Sequence, residues 1–200
     1  MKKYDKTMMK NALIWSEESY CIRKKVGAVI AFEGRIKSTG YNGTISGFPN
    51  PCEKIVGTQE LSGELELTPD LVSLTDLELF DVFAYKNNLC NSCKLLEGTT
   101  STVKYDINTL FSFKYIAPVY ETLPTVQHAE RNAMDFAGKH GISLEGATMY
   151  VTLEPCVECA KSIITTGIKR VVFLEEYRIK DGVPFLREAG IEVIQLKDLD

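Results

Sequence analysis

The amino-acid sequence predicts an α/β fold, a three-layer α/β/α sandwich around a five-stranded mixed sheet. Two observations carry that expectation. From residue 128 to residue 196, helical periodicity alternates with short apolar runs, the pattern of βαβ crossovers feeding a buried, mostly parallel sheet. Ahead of them, two runs joined by Glu33-Gly34 read as a hairpin. A chain of 200 residues that is 44% hydrophobic and 25% charged suits one domain, 1–200, with a sizeable core.

Residues 4 to about 20 place Met8, Ala12, Trp15 and Tyr20 near a 3.6-residue spacing without Gly or Pro, so they predict a helix. Val26 to Phe32 is a short apolar strand and Arg35 to Tyr41 its return. Gly40-Tyr41-Asn42-Gly43 ends the hairpin in a glycine-flanked loop. Residues 44–124 have weak periodicity broken by Pro and Gly, with a helix expected from Pro69 to about Leu79 after Thr68 as N-cap. That stretch predicts an insertion, at about 53–124, hung on the core. The remainder reads as a helix at 128–139, a strand at Ala147–Leu153, a helix from 156 to about 166 and a strand at Lys169–Leu174. Pro184 opens a short helix through Ala189, and Ile191–Leu196 is the last strand. Gly141, Gly167 and Gly190 follow the three helices as stop signals.

The chemistry is concentrated in Gln127-His128-Ala129-Glu130 and Glu154-Pro155-Cys156-Val157-Glu158-Cys159. Zinc accepts imidazole nitrogen and thiolate sulfur, and a catalytic site keeps one of its four positions open. His128, Cys156 and Cys159 supply three ligands and leave that position free. Cys156 and Cys159 share one face of a helix that Pro155 introduces, and a helix start favours the thiolate that binds metal. Glu130, two residues past His128, fits a general acid/base rather than a ligand. A closed structural zinc needs a fourth protein ligand, and this part of the chain offers none.

The pattern H-x-E followed by P-C-x-x-C is the signature of zinc nucleobase deaminases. With Val26-Gly27-Ala28-Val29-Ile30, Thr39-Gly40-Tyr41-Asn42-Gly43 and Thr148-Met149-Tyr150-Val151-Thr152-Leu153, the chain resembles the cytidine deaminase superfamily, and within it the deoxycytidylate (dCMP) deaminases. The resemblance covers residues 1–52 and 125–196 and leaves the insertion aside. It implies hydrolytic deamination of dCMP to dUMP and ammonia, supplying dUMP for dTMP synthesis, with zinc-activated water attacking C4 of cytosine and Glu130 shuttling the proton. By the same resemblance, Asn42, Asn132, Thr152, Glu154 and Tyr177 bind substrate. Tyr177 falls near the 5′-phosphate, and Thr152 to Glu154 edge the base pocket through their backbone. Tyr41, Asn42 and Gly43 form a candidate loop for dCTP or dTTP effectors with Mg2+, in a homohexamer. Thr44-Ile45 stands where family members often carry a proline, a departure that bears on the effector site more than on the chemistry. Cys21, Cys52, Cys90 and Cys93 would hold a second, structural zinc.

Net charge is −4 and the sequence pI about 5.4, which disfavours a nucleic-acid substrate. Residues 1–40 nonetheless hold nine Lys/Arg against four Asp/Glu, a basic region suited to phosphate. With no apolar run of 18 residues and no apolar signal-peptide core, the expectation is a soluble cytoplasmic protein without a membrane partner. Six cysteines, in part spaced C-x-x-C, read as thiols or metal ligands in a reducing compartment. His140, in the last turn of its helix, suits the dipole there better than a metal. The alternatives are a tRNA adenosine deaminase, a riboflavin-pathway pyrimidine deaminase and a catalytically silent zinc-bearing subunit. The first expects a basic docking surface that the acidic C-terminus lacks, and intact Glu130 speaks against the last.

Overall fold

The computed structural model describes residues 2–66, 79–80, 83–84, 94–95 and 110–199. Two compact units are formed: Met1–Glu53 with Thr122–Asp200, and Lys54–Glu121.

In the first unit, α1 (Asp5–Glu17) precedes the hairpin strands β1 (Gly27–Phe32) and β2 (Arg35–Tyr41). The short strands β3 (Gly43–Thr44) and β7 (Val126–Gln127) pair antiparallel. Then follow α2 (Ala129–Lys139), β8 (Thr148–Leu153), α3 (Val157–Thr165), β9 (Arg170–Glu175), α4 (Gly182–Glu188) and β10 (Glu192–Gln195). The sheet order is β10-β9-β8-β1-β2. The pairs β8·β9 and β9·β10 are parallel, whereas β1 runs antiparallel to both β2 and β8, so the expected five-stranded mixed sheet is observed.

Alternation along the strands builds the layers. Ala28 and Ile30 of β1, Met149 and Val151 of β8, and Val171 and Phe173 of β9 face α2, α3 and α4, packing with Ala133, Ala137, Ile163 and Leu186. The intervening Val29, Ala31, Tyr150 and Val172 face α1 and its Met8, Met9 and Ala12. Burial on both faces explains why these strands read as continuous apolar runs. The helix α1 stops at Glu17, three residues before the sequence reading. The chain leaves the helical path at Ser19, whose hydroxyl donates to the Asn42 carbonyl at 2.7 Å.

An ion pair is buried behind the sheet. Asp5 is fully buried and Arg170 is 2% exposed. The Arg170 guanidinium donates to both Asp5 oxygens at 2.7 and 2.8 Å, and the Tyr150 hydroxyl and the Lys2 backbone N–H donate at 3.0 and 2.6 Å. Arg170 Nε lies 3.2 Å from Glu192 Oε1 but off the axis of a hydrogen bond. Burial raises the Asp5 carboxyl, and Arg170 with the other donors outweighs it, leaving the net shift downward. For Tyr150, burial and the Asp5 charge push the phenol up to about 12.

In the second unit, β4 (Glu53–Glu66), β6 (Leu110–Thr122) and β5 (Lys94–Leu95) form a sheet in the order β4-β6-β5. Lys54 pairs with Glu121 and Lys114 with Glu60 across it. The sequence reading assigned no strands here. Ile55, Val56 and Leu61 are exposed, so the apolar positions do not mark one buried face. The helix expected from Pro69 lies almost wholly outside the described residues.

Removing one partner of a buried ion pair strands the other charge, so Asp5→Ala is expected to destabilise folding by about 3–5 kcal/mol near neutral pH. Because folding depresses the Asp5 pKa, the pair's contribution is complete above the ordinary carboxyl value near 3.8 and is lost as pH falls through the lower folded value. Denaturant titrations of both proteins should therefore show a gap that is constant from neutral pH down to that point and narrows below it.

Candidate active site

The metal-ligand residues sit where helices begin. His128 is the N-cap of α2 and Cys156 the N-cap of α3, both in extended conformation, with Cys159 in the first turn of α3. Topology brings these ends together. The carboxyl ends of β8 and β9 and the start of the antiparallel β1 lie at one edge of the sheet, where open α/β folds place their ligands. Close packing then sets the distances. Gly40 of β2 lies against the Ala129 carbonyl and the Ala133 backbone of α2, and Gly182 of α4 against the Pro155 carbonyl, with no room for a Cβ at either position.

The ligand atoms of His128, Cys156 and Cys159 all lie within 4.8 Å of one another. His128 Nδ1 is 3.6 Å from Cys156 Sγ and 3.4 Å from Cys159 Sγ. A tetrahedral zinc with bonds of about 2.3 Å to sulfur and about 2.05 Å to nitrogen separates those atoms by about 3.6 Å, so the donor set fits zinc. Among the described residues this is the one His/Cys/Asp/Glu cluster of that kind, and it leaves the fourth position open. Without metal, the hydrogen bond from Cys159 holds the Cys156 thiol down at about 3, and the same bond with burial pushes Cys159 up. Hydrogen bonding to Cys156 raises His128. Glu130 is 4% exposed, and that burial raises its carboxyl.

A cavity of about 410 Å³ opens over the cluster, within the range of small-molecule sites. His128, Glu130, Cys156 and Leu153 line its interior, and Arg23, Lys24, Tyr177 and Arg178 also line it, beside Glu53, Glu175 and Glu176. Asn42 reaches the cavity, but its side chain is engaged with backbone: Oδ1 accepts from Val26 N at 2.7 Å and Nδ2 donates to the Lys24 carbonyl at 2.8 Å. Asn42 therefore holds the segment that carries Arg23 and Lys24. Thr152 and Asn132 do not line the cavity. Thr152 is 2% exposed and accepts from Gly27 N at 3.1 Å, whereas Asn132 lies a turn into α2, half-buried, its N–H donating to the His128 carbonyl at 2.9 Å. Glu154 and Tyr177 do line it.

Tyr41 stacks on Trp15 at 6.4 Å between ring centres, and Gly43 pairs with Gln127, so of the expected effector loop only Asn42 borders the cavity. Cys21 and Cys52 are buried and paired as a disulfide, their Cα atoms 5.1 Å apart. The pair would have to be reduced before its sulfurs could share a metal with two further thiolates. Cys90 and Cys93 lie outside the described residues. His140, at the far end of α2, packs on Phe136 at 4.3 Å between ring centres. Sequence reasoning identified a basic N-terminal region but not Arg23, Lys24 or Arg178 individually, because lone basic residues in loops carry no local pattern.

Metal analysis of purified protein should find one equivalent of zinc per chain more than in His128→Ala. Gly182→Ala, which presses a methyl group onto the Pro155 carbonyl, is expected to lose that zinc to a chelator faster than the parent.

The chain matches, over residues 2–175, the family described as the cytidine and deoxycytidylate deaminase zinc-binding region. It is 37% identical over 198 residues to the deoxycytidylate deaminase of enterobacteria phage T4, covering 95% of this chain and 88% of that one. The deoxycytidylate deaminase of Saccharomyces cerevisiae is 27% identical over 193 residues, covering 96% of this chain and 44% of the relative. The crystal structure of dCMP deaminase from cyanophage S-TIM5 in complex with dCMP and dUMP superposes with a TM-score of 0.62 at 28% identity, covering 98% of this chain and 99% of that one. A zinc-fitting His128-Cys156-Cys159 triad with a buried Glu130 beside it, on this sheet and in this sequence context, places the chain in the cytidine and deoxycytidylate deaminase zinc-binding family.

Proposed function

We propose that the protein hydrolyses dCMP to dUMP and ammonia. The observation that carries the reading is a single cavity lined by His128, Cys156 and Glu130 together with Arg23, Lys24 and Arg178. A pyrimidine at the triad and an anionic phosphate against the cations would occupy both parts at once. The structural likeness to a dCMP deaminase holding dCMP and dUMP supports it.

Zinc, when bound by His128, Cys156 and Cys159, supplies the Lewis acid that lowers the pKa of a water molecule. The chain's own residues do the rest. Glu130, buried beside the triad, takes a proton from the attacking water and delivers it to N3 of the base as the C4–O bond forms. It then carries the second proton to the exocyclic amine, so the C4–N bond breaks with ammonia as leaving group. Leu153 and Val26 supply apolar cavity wall, and Tyr177 with the Arg178 guanidinium 5.9 Å from its ring centre borders the cavity on the β9 side.

The same proposal includes finer parts. A dCTP or dTTP effector with Mg2+ at Tyr41–Gly43, assembly as a homohexamer and a cytoplasmic location rest on the family resemblance. No helix among the described residues is long and apolar enough to cross a membrane. A second zinc at Cys21, Cys52, Cys90 and Cys93 likewise rests on the resemblance; zinc that survives His128→Ala and disappears from Cys21→Ser would mark it.

Ammonia release measured on dCMP, CMP, deoxycytidine and dCTP should be fastest on dCMP, and Mg2+ with dCTP or dTTP should change that rate if the loop is regulatory. Silence on all four substrates with zinc bound would reject the reading. Glu130→Ala should stay folded and zinc-loaded while turnover falls by about 10²–10⁴-fold, the usual contribution of a positioned proton carrier.

A further inference from the structure

Glu154 is a carboxylate only 5% exposed, adjacent to Pro155 and Cys156, with no part in the proton transfers above. A buried carboxylate is retained only where something answers its desolvation. Its Oε2 accepts the backbone N–H of Tyr177 at 3.1 Å, and its own N–H donates to the Glu175 carbonyl at 2.8 Å. Residue 154 thus clasps the segment after β9 from both its side chain and its main chain. A few residues on, Gly182 of α4 rests on the Pro155 carbonyl. The metal-ligand loop and the segment bearing Tyr177 and Arg178 are consequently joined at three points.

We infer that Glu154 is a positioning residue for substrate binding, its side chain anchoring Tyr177 and Arg178 at the cavity. Only the side-chain bond is selective. The backbone bond from residue 154 to residue 175 continues the β8·β9 pairing and survives any substitution, whereas among the described residues the Tyr177 N–H, past the strand end at Glu175, donates to the Glu154 carboxylate alone. Beyond that point Lys180 pairs with Glu176 at the surface, both at least half exposed, which fixes little. The inference rests on the dCMP reading for its kinetic form, and on geometry alone for its structural form. It also revises the expected role of Glu154, from a backbone contact with the base to a side-chain contact with the protein's own mouth segment.

The experiment compares Glu154→Ala with Glu154→Gln, whose amide oxygen can still accept from Tyr177. Two readouts are taken: hydrogen exchange at the Tyr177 amide, and KM and kcat for dCMP and for deoxycytidine, with zinc content measured on each protein. Loss of one hydrogen bond to a charged group corresponds to about a tenfold or larger effect, so Glu154→Ala should raise KM for dCMP by about tenfold and kcat should change less. The preference for dCMP over deoxycytidine should fall in step, Tyr177 should lose protection, and Glu154→Gln should restore most of each. If Glu154→Ala does not fold or loses zinc, Glu154→Asp carries the same test, since it withdraws the carboxylate by one methylene and keeps the charge. A Tyr177 amide that stays protected, or an equal loss on dCMP and deoxycytidine, would overturn the inference. If the parent protein turns over no nucleotide, the substrate reading fails, and the exchange measurement still decides whether Glu154 anchors the segment.

Discussion

A tetrahedral zinc requires its nitrogen and sulfur donors about 3.6 Å apart, and that requirement organises the first unit. The donors come from the starts of α2 and α3, which are separated in sequence by the whole of β8. Neither helix can hold the metal alone. The parallel pairing of β8 with β9 places the α3 start at the carboxyl edge of the sheet, and the packing of α2 on β2 at Gly40 brings His128 to the same edge. Because β1 runs antiparallel to β8, its leading segment with Arg23 and Lys24 arrives there too. One sheet edge thereby collects residues from four connections.

Electrostatics at that edge favours the chemistry. Helix starts carry partial positive charge, which suits a thiolate at Cys156 and a carboxylate at Glu130 in the first turn of α2. Burial raises the Glu130 carboxyl at the same time, opposing the pull of the helix start. On the opposite face of the sheet the deeply buried Asp5 and Arg170 neutralise each other and tie α1 to β9 and β8 through Tyr150. The two faces divide the work: ionic groups behind the sheet hold its layers together, and those at its edge face the cavity.

The loops around the cavity are held as firmly as the ligands. Asn42 spends both ends of its amide on the Lys24–Val26 backbone, Glu53 accepts from the Ile22 N–H at 3.1 Å, and Glu154 accepts from the Tyr177 N–H. The Asn42 side chain, which resemblance assigned to the substrate, is thus bonded to the protein itself. Such bonds preorganise a site, because the loop entropy is lost on folding rather than on binding.

From the sequence alone came the five core strands and their helices, since burial on both faces writes a continuous apolar run into Val26–Phe32 and burial on one face a 3.6-residue period into Ala129–Ala137. The zinc ligands and Glu130 were also legible, because H-x-E and C-x-x-C are local spacings set by one helix turn each. Tertiary structure alone decided the rest. The strand β4 exposes the adjacent Ile55 and Val56, so its apolar residues there mark no single buried face. Asp5 and Arg170 lie 165 residues apart, Glu154 and Tyr177 lie 23 apart, and nothing local to either partner names the other. Periodicity records which side of an element is dry; which polar group answers which is settled only when the chain closes on itself.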